Sequence, residues 1–296
     1  LVMDQLEGIT EDQVLCEPMR KNTAPCIAYA SHRIIEENEN AVVIVAPSDH
    51  IILEEAVFTE VIRSALQAAT KHAWLLTLGI TPSRPDTGYG YIQFCGNKPY
   101  PEDERIRKVK TFTEKPNREL AETFLESGDF LWNSGIFIWS VKTIQDAFSK
   151  HLTDMEALFS EGAGKYGTEE EKPFIDRIYP LCKNISIDYG IMEKAENVYV
   201  LASDFGWSDL GTWGSLFDIK DKDENNNSIQ GSNVLTFDTN NCIITVPREK
   251  LVVIQGLDDY IVVEDDNNLL ICRKKDEQKL REIVNTVKIE KGEKYV

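Results

Sequence analysis

The sequence has no long apolar run and little positive charge. Its 296 residues contain 32 Lys and Arg against 50 Asp and Glu, which gives a net charge of −18. A membrane helix needs about 20 consecutive apolar residues, and no run approaches that length. Nucleic-acid binders carry a basic footprint, so the charge argues against such a partner. We therefore expect a cytoplasmic protein without a membrane or nucleic-acid partner. Small anionic substrates are not excluded, because magnesium, a few lysines and helix N-termini can bind them.

Cysteine and histidine also lack the spacing that a metal or disulfide framework requires. The four histidines have no ligand spacing, and no C-x-x-C pair occurs among the six cysteines. Several cysteines, such as Cys242 and Cys272, lie in apolar patterns. We interpret them as reduced core thiols, and the sequence predicts neither a disulfide framework nor a zinc site.

The most informative stretch begins with four β-branched residues, Val42–Val45. Such a run predicts a strand buried on both faces, as in the centre of a parallel sheet. Pro47 has no N–H for the ladder and ends the strand. Asp49 is therefore expected at the carboxyl edge of the sheet, where open α/β sheets bind ligands. Alternatively, Asp49 only caps the turn after the strand.

Strand and helix patterns alternate up to about residue 220. This alternation predicts the α/β class, with a mostly parallel, doubly wound sheet. The polar run Asp221–Ser228 has no periodicity and indicates a linker. We predict an α/β domain over residues 1–220, a linker over 221–230 and a C-terminal domain over 231–296.

The C-terminal part has the pattern of a small all-β module that ends in a helix. Short strand candidates recur every eight to ten residues, near Val234, Ile243, Val252, Val262 and Leu270. No catalytic group of residues stands out among them. The regular strands and polar turns suit a role in assembly or as a lid.

Two aspartates follow strands in loops that are rich in turn residues. Asp49 follows the Val42–Val45 strand, and Asp209 lies between Trp207 and Trp213. Magnesium binds through one or two carboxylates and completes its shell with water and phosphate oxygens. We predict that Asp49 and Asp209 converge on one magnesium ion. The alternative for Asp209 is an aspartate that satisfies a backbone turn.

A second group of candidates could bind a phosphorylated sugar. At the end of a predicted strand, Glu114 could accept hydrogen bonds from sugar hydroxyls and Lys115 could hold a phosphate. Without other support, an exposed ion pair is the favoured explanation of the same dipeptide. Gly88 and Gly90 would allow a ligand to approach the backbone closely, although turns alone also select glycine.

The segment from Glu17 onwards is a candidate for nucleotide binding. Thr23 is a plausible N-cap, and Pro25 is tolerated in the first turn of a helix, so free N–H groups would face a docked ligand. A carboxylate can accept two parallel hydrogen bonds, and guanine presents two adjacent donors where adenine presents an acceptor. Glu17, held by Pro18, is therefore a candidate for guanine recognition.

Seven motifs occur in one order along the chain. They are E-P-x-x-K-N-T-A-P, V-x-P-S-D-H, R-P-x-T-G-Y-G-Y-I, F-x-E-K-P, F-L-W-N-S-G-I-F, S-I-D-Y-G-I-M-E and W-S-D-L-G-T-W. From about Leu15 onwards the sequence resembles the bacterial mannose-1-phosphate guanylyltransferases (GDP-mannose pyrophosphorylases). The segment Gly256–Val263 resembles the second domain of that family, a short left-handed parallel β-helix. Because that domain is often used in dimers, the resemblance implies a homodimer formed through the C-terminal domain.

The resemblance implies an activity and a site. The reaction would join mannose 1-phosphate and GTP into GDP-mannose and pyrophosphate, by in-line attack on the α-phosphorus with magnesium as cofactor. The matching motifs place magnesium on Asp49 and Asp209 and the sugar phosphate on Lys115, so that these three carry the catalysis. The sugar would contact Glu114, Asn133 and the loop Gly88, Tyr89 and Gly90. The nucleotide would contact Glu17, Asn22 and Thr23, and Asp188 would orient the site from a helix start.

The sequence departs from the family at its beginning. The family opens with a glycine-rich loop and a basic segment that wrap the triphosphate, and neither occurs before Leu15. We expect that the chain is a piece of a longer protein and that these residues alone catalyse poorly. Two alternatives are a nucleotidyltransferase for another hexose 1-phosphate or base, and a non-catalytic homologue that binds sugar nucleotides. The retained pair of Asp49 and Asp209 argues against the non-catalytic homologue.

Overall fold

The computed structural model of the protein describes residues 2–266 and 268–295, except for the side chains at 97–99. Its α-helices are α1 (Val2–Gln5), α2 (Thr23–Glu37), α3 (Glu55–Lys71), α4 (Arg118–Ser127), α5 (Val141–His151), α6 (Thr153–Ser160), α7 (Glu171–Ile178), α8 (Trp213–Ile219) and α9 (Leu280–Lys291). Its strands are β1 (Val42–Val45), β2 (Ile51–Ile52), β3 (Leu75–Ile80), β4 (Gly90–Tyr100), β5 (Asp103–Glu114), β6 (Phe130–Ser140), β7 (Val198–Ser203), β8 (Trp207–Ser208), β9 (Ser228–Gln230), β10 (Val234–Phe237), β11 (Ile243–Thr245), β12 (Val252–Gln255), β13 (Tyr260–Asp265) and β14 (Asn268–Arg273).

The chain forms two compact units. The first contains residues 1–48 and 54–205, and the second contains residues 49–53 and 206–296. The domain limits that we expect from the sequence, 220 and 231, stay a prediction. Within the expected linker over 221–230, however, β9 is a regular strand that pairs in parallel with β11.

The first unit is built on a six-stranded sheet with the order β1-β6-β3-β7-β5-β4. Among the described pairings of this sheet, only β3 with β7 is parallel. The others are antiparallel, so the prediction of a mostly parallel sheet is wrong in strand direction. The reason lies in the connections. The two residues between β4 and β5 can only form a hairpin, because a parallel pair needs a long crossover.

The strand Val42–Val45 forms as predicted, but it lies at the edge of the described sheet and not in its centre. Its pairing partner is β6. All four side chains are at least partly exposed, and Ile44 is 42% exposed. A run of β-branched residues therefore identified the strand correctly but not its position, because edge and central strands share the same local propensity.

Helices cover the sheet of the first unit and bury its apolar side chains. The main core joins residues of α2, α5, α6 and α7 to residues of β3, β6 and β7; fully buried examples are Ala28, Ile144, Phe148 and Phe159. Removing these side chains from water is the main favourable term in folding. The α/β class predicted for this part of the chain is confirmed.

The second unit contains the predicted β module. β10 pairs in parallel with β12, and β11 pairs in parallel with both β9 and β13, while β14 is antiparallel to β13. The strands expected near Val234, Ile243, Val252, Val262 and Leu270 are all present. Successive parallel pairs are the arrangement that a β-helix requires, and its left-handed winding stays a prediction.

The six cysteines are free thiols, but the prediction that they lie in the core is wrong for Cys16 and Cys26, which are exposed. Cys182 and Cys242 are buried, and Cys95 and Cys272 are partly exposed. None of the helices over residues 2–266 and 268–295 has the length and apolarity to cross a membrane.

Candidate functional site

The candidate residues are divided between the two units. Asp49 and Asp209 belong to the second unit, and the other candidates belong to the first. The two groups are therefore described separately.

Asp49 and Asp209 flank one pair of short strands. Asp49 lies two residues before β2 and Asp209 directly follows β8, and β2 is antiparallel to β8 with Ile51 opposite Ser208. His50 directly precedes β2, and the charges of Asp209 and Asp49 both act on it. The two carboxylates, which are far apart in the sequence, thus lie beside the same short ladder.

The two aspartates differ in how firmly they are held. Asp209 Oδ1 accepts the backbone N–H of Gly211 at 2.8 Å, which fixes the loop after β8. The side chain of Asp49 is 86% exposed. One carboxylate is therefore anchored, while the other can turn toward a ligand.

His50 lies next to both aspartates. Its protonation state therefore determines the net charge of the group formed by His50, Asp49 and Asp209. Trp207 Nε1–H donates to His50 Nδ1 at 3.1 Å, so the proton of the neutral ring is on Nε2, 4.0 Å from Asp49 Oδ1. Burial lowers the pKa of His50, although the charges of Asp209 and Asp49 oppose this shift. His50 is therefore neutral at pH 7 and adds no positive charge beside the two carboxylates.

The donor set around these carboxylates fits magnesium. Over the described ranges, no group of three or more His, Cys, Asp or Glu side chains could hold a metal ion. A zinc or calcium site formed by the protein alone would need more ligands. Magnesium commonly uses one or two carboxylates and takes its other ligands from water and phosphate, and Asp49 with Asp209 can supply this set.

In the first unit, Asn133 connects three separate segments. Its Oδ1 accepts Thr77 Oγ1–H at 3.1 Å and the backbone N–H of Gly135 at 3.2 Å. Its Nδ2 donates to Asp188 Oδ1 at 2.8 Å. The pairing of β3 with β6 shifts register between Thr77 and Gly79, and Asn133, opposite Gly79, lies beside this irregularity.

Asp188 carries an unfavourable charge in this network. Burial raises its pKa, and the nearby charge of Glu114 raises it further, while the hydrogen bond from Asn133 lowers it. Asp188 opens a π-helical turn, Asp188–Met192, that follows Ile187. It is thus the first residue of that turn, which agrees with the helix start expected at this position.

Glu114, Lys115 and Gly90 lie beside this network. Lys115 Nζ is 3.3 Å from Glu114 Oε1, so the ion pair expected as the alternative does form. Gly90 is paired with Glu114 across β4 and β5. A Cβ on Gly90 would lie 2.5 Å from Glu114 Oε2 and 3.4 Å from Asn133 Cβ, so any other residue there would displace the end of the Glu114 side chain.

The rest of the Gly88–Gly90 loop is held by groups that the sequence patterns did not indicate. The N–H of Gly88 donates to Asp86 Oδ1 at 2.7 Å and is therefore not free for a ligand. Arg84 Nη2–H donates to Asp86 Oδ2 at 2.9 Å. Tyr89 is only 4% exposed and lies edge-on to Trp132 at 4.8 Å. Gly88 and Tyr89 thus shape the loop, and neither presents a polar group that the structure shows to be open to a sugar.

The nucleotide-side candidates meet at the start of α2. Asn22, with φ 67°, is the N-cap, and its side chain accepts the N–H of Thr23 at 3.1 Å. The prediction that Thr23 is the cap is therefore wrong by one residue. Thr23 Oγ1 instead accepts the N–H of Ile187 at 2.9 Å, and Ala24 N–H donates to Ile185 O at 3.1 Å. These bonds use part of the N–H groups that we expected to be free.

Glu17 is held by a partner from a distant segment. Tyr179 O–H donates to Glu17 Oε1. Partial loss of hydration at the thiol, together with the charge of Glu17 and a hydrogen bond to it, raises the pKa of Cys26 to about 11, although the residue as a whole is exposed. The Cys26 thiol therefore stays protonated near neutral pH. Tyr179 was not predicted, because no local pattern links residues that are so far apart in the sequence.

We expect Asp188→Asn to increase the stability of the folded protein at neutral pH. A carboxyl whose pKa is raised on folding stabilises the protein most below its unfolded value of 3.8, and this contribution is lost as the pH rises through the folded pKa. Asparagine removes the charge and keeps Oδ1 as an acceptor for Asn133. The free energy of unfolding is measured with denaturant at pH 4 and pH 7. It should fall less between pH 4 and pH 7 in the variant than in the wild type.

The matched control for this experiment is Asp154→Asn, which removes an exposed aspartate from α6. It should leave the pH dependence of unfolding unchanged. If Asp188→Asn and wild type lost the same free energy of unfolding between pH 4 and pH 7, the unfavourable charge at Asp188 would be refuted.

The sequence of the chain matches two protein families and several known proteins. Residues 4–226 match the nucleotidyl transferase family, and residues 232–287 match the MannoseP isomerase/GMP-like beta-helix domain. The chain is 33% identical over 287 residues to the alginate biosynthesis protein AlgA of Pseudomonas aeruginosa. It is also 33% identical over 291 residues to a mannose-1-phosphate guanylyltransferase of Escherichia coli. Each alignment covers 96% of this chain but only 59% and 62% of the relative, so the chain spans about three fifths of their length.

A solved structure from Thermus thermophilus, described as a mannose-1-phosphate geranyltransferase, superimposes with a TM-score of 0.76. It is 28% identical to this chain, and the match covers 93% of this chain and 77% of the other. Together with the family match over residues 4–226, this likeness confirms the resemblance that the seven motifs indicated. The chain belongs to the nucleotidyl transferase family.

Proposed function

We propose that the protein transfers the guanylyl group of GTP to mannose 1-phosphate and releases pyrophosphate. This proposal is supported mainly by a group of residues that lie together in the first unit and come from four of the seven motifs. They are Gly90, Glu114, Lys115, Asn133 and Asp188. The 33% identity to a mannose-1-phosphate guanylyltransferase supports the choice of substrates.

In this reaction an oxygen of the sugar phosphate attacks the α-phosphorus of GTP in line, and pyrophosphate leaves. The protein needs to do little covalent chemistry, so positioning and neutralisation of charge dominate. We assign the sugar hydroxyls to Glu114 and Asn133 and the sugar phosphate to Lys115. Asp188 is a positioning residue, because it holds the amide of Asn133 in one orientation.

Asp49 and Asp209 are the residues that would hold magnesium. The metal supplies positive charge to the phosphates of the nucleotide when it is bound. The neutral state of His50 supports this assignment, since a charged imidazole would compete with the metal for both carboxylates.

We also propose that the protein is a cytoplasmic homodimer formed through its C-terminal domain. Adjacent apolar side chains on β10 and β12 support this proposal. Leu235, Phe237 and Val253, together with Leu251 next to β12, are each more than half exposed. Exposed apolar patches of this kind often mark protein interfaces.

The decisive test of the proposed reaction is an assay of the full-length protein with GTP, magnesium and a panel of hexose 1-phosphates, with release of pyrophosphate as the readout. Mannose 1-phosphate should give the highest kcat/KM. A clear preference for another hexose 1-phosphate would support the alternative substrate. Binding of GDP-mannose without turnover of any pair of substrates would support the non-catalytic alternative.

We expect Glu17→Gln to weaken the preference for GTP over ATP by about tenfold or more. A glutamine side chain has one acceptor where the carboxylate has two, so one donor of guanine would be left unpaired. The preference is measured as the ratio of kcat/KM for the two nucleotides. Glu126→Gln, which changes an exposed glutamate of α4, is the control. An unchanged ratio in Glu17→Gln would remove Glu17 from base recognition.

A further inference from the structure

A second cavity lies in the first unit, at the opposite end of the central strands from Asn133. Its wall includes Trp74, directly before β3, and Tyr199, near the start of β7. Asn133 is paired with Gly79 at the far end of β3. A six-residue strand spans about 20 Å, so the two places are separate. The volume of this cavity is about 650 Å³, which suits a small-molecule ligand.

Three lysines from three separate elements line this cavity. Lys108 comes from β5, Lys150 from the end of α5, and Lys194 from the segment before β7. Within residues 2–266 and 268–295, none of the three forms an ion pair. Lysines of the neighbouring cavity behave differently, because Lys71 pairs with Glu102 and Lys142 pairs with Glu39.

The charges of two of these lysines, Lys194 and Lys150, act on His151, which also lines the cavity. Burial lowers the pKa of His151, and the ammonium groups of Lys194 and Lys150 lower it further. The end of a helix favours basic residues, and this accounts for Lys150 and His151 at the end of α5. It does not account for Lys194 or Lys108, which come from other elements. In a chain with a net charge of −18, such a convergence requires another reason.

The remaining wall offers acceptors and aromatic surface. Asp146 and Glu196 line the cavity and could accept hydrogen bonds from hydroxyl groups. Trp74 is stacked on Tyr199 with ring centroids 4.0 Å apart, which forms a rigid aromatic wall. Asn197 holds the rim, since its Nδ2 donates to the carbonyl of Ala73 at 2.7 Å.

We propose that this cavity is a second ligand site, which binds a phosphorylated metabolite with neighbouring hydroxyl groups. The phosphate would contact Lys108, Lys150 and Lys194, and the hydroxyls would contact Asp146 and Glu196. Nucleotides and sugar phosphates share this chemistry. The site does not depend on the proposed reaction, because it uses none of the residues assigned to mannose 1-phosphate or GTP.

The test measures ligand binding by calorimetry in the Lys115→Gln background, with EDTA present so that magnesium-dependent binding is suppressed. The probes are GDP and glucose 6-phosphate, each up to millimolar concentration. We expect at least one probe to bind, and Lys150→Gln/Lys194→Gln to weaken that binding by about tenfold or more, because charge-assisted hydrogen bonds are lost. GDP alone would identify a nucleotide site, and glucose 6-phosphate alone would identify a sugar phosphate site.

The matched control is Lys172→Gln, which removes an exposed lysine of α7. Thermal unfolding should show that all variants are folded. The proposal is overturned if neither probe binds to the Lys115→Gln chain. It is equally overturned if the double variant binds as tightly as the Lys172→Gln control.

Discussion

Replacing Asp209 with asparagine is expected to lower the magnesium-dependent kcat of the full-length protein by about a thousandfold or more. Removing one carboxylate from a two-carboxylate site weakens the metal that offsets phosphate charge in the transition state, and such electrostatic terms are the largest in phosphoryl transfer. Asparagine keeps Oδ1 as an acceptor for Gly211 N–H, so the loop after β8 should stay in place. The measurements are kcat over a range of magnesium concentrations and the melting temperature.

Asp49→Asn should behave in the same way, since Asp49 is the other proposed ligand. Asp204→Asn, which changes an exposed aspartate shortly before β8, is the control and should keep full activity. If Asp49→Asn or Asp209→Asn kept nearly the wild-type rate, the two-carboxylate magnesium site would be wrong. If a variant lost its melting transition, the result would instead indicate a structural role.

The second large effect concerns Lys115. We expect Lys115→Gln to reduce kcat/KM for mannose 1-phosphate by about a hundredfold, with a much smaller change in KM for GTP. The ammonium group is the cation that we assign to the sugar phosphate, and hydrogen bonds to charged groups are the costly ones to lose. Lys115 also lowers the pKa of Asp188, so its removal adds to the unfavourable charge there.

Two variants separate the role of the charge from a general loss of function. Lys110→Gln removes another exposed lysine of β5 and should have no effect on KM. Lys115→Arg keeps the charge and should restore part of the activity, although the planar guanidinium does not reproduce a compact ammonium. An unchanged KM for mannose 1-phosphate in Lys115→Gln would contradict the assignment.

Local patterns in the sequence were sufficient to predict most of the elements. The β-branched run at Val42–Val45, the five short C-terminal strands and the α/β class follow from periodicity and propensity, which depend only on neighbouring residues. The sheet order does not depend on neighbours alone. The sequence therefore could not indicate that β1 lies at the edge of the sheet. It also could not indicate that β6 pairs with β1 in the antiparallel direction.

The candidate site shows the same limit at the level of single atoms. Motifs were enough to select Glu114, Asn133 and Asp188, which the structure brings together. They could not reveal that Asp86 already holds the N–H of Gly88, or that Tyr179 holds Glu17. Such contacts depend on how distant segments are packed, and no spacing rule covers them.

The position of Asn133 has a consequence for how this region can change in evolution. Its amide serves two donors and one acceptor at once, and the three partners belong to β3, β6 and the turn after Ile187. Aspartate would supply no donor and would add a third acid beside Asp188 and Glu114, while leucine would match the size and satisfy none of the three. A viable replacement at this position therefore requires simultaneous changes in other segments. Single substitutions of Asn133 should accordingly be rare among functional variants.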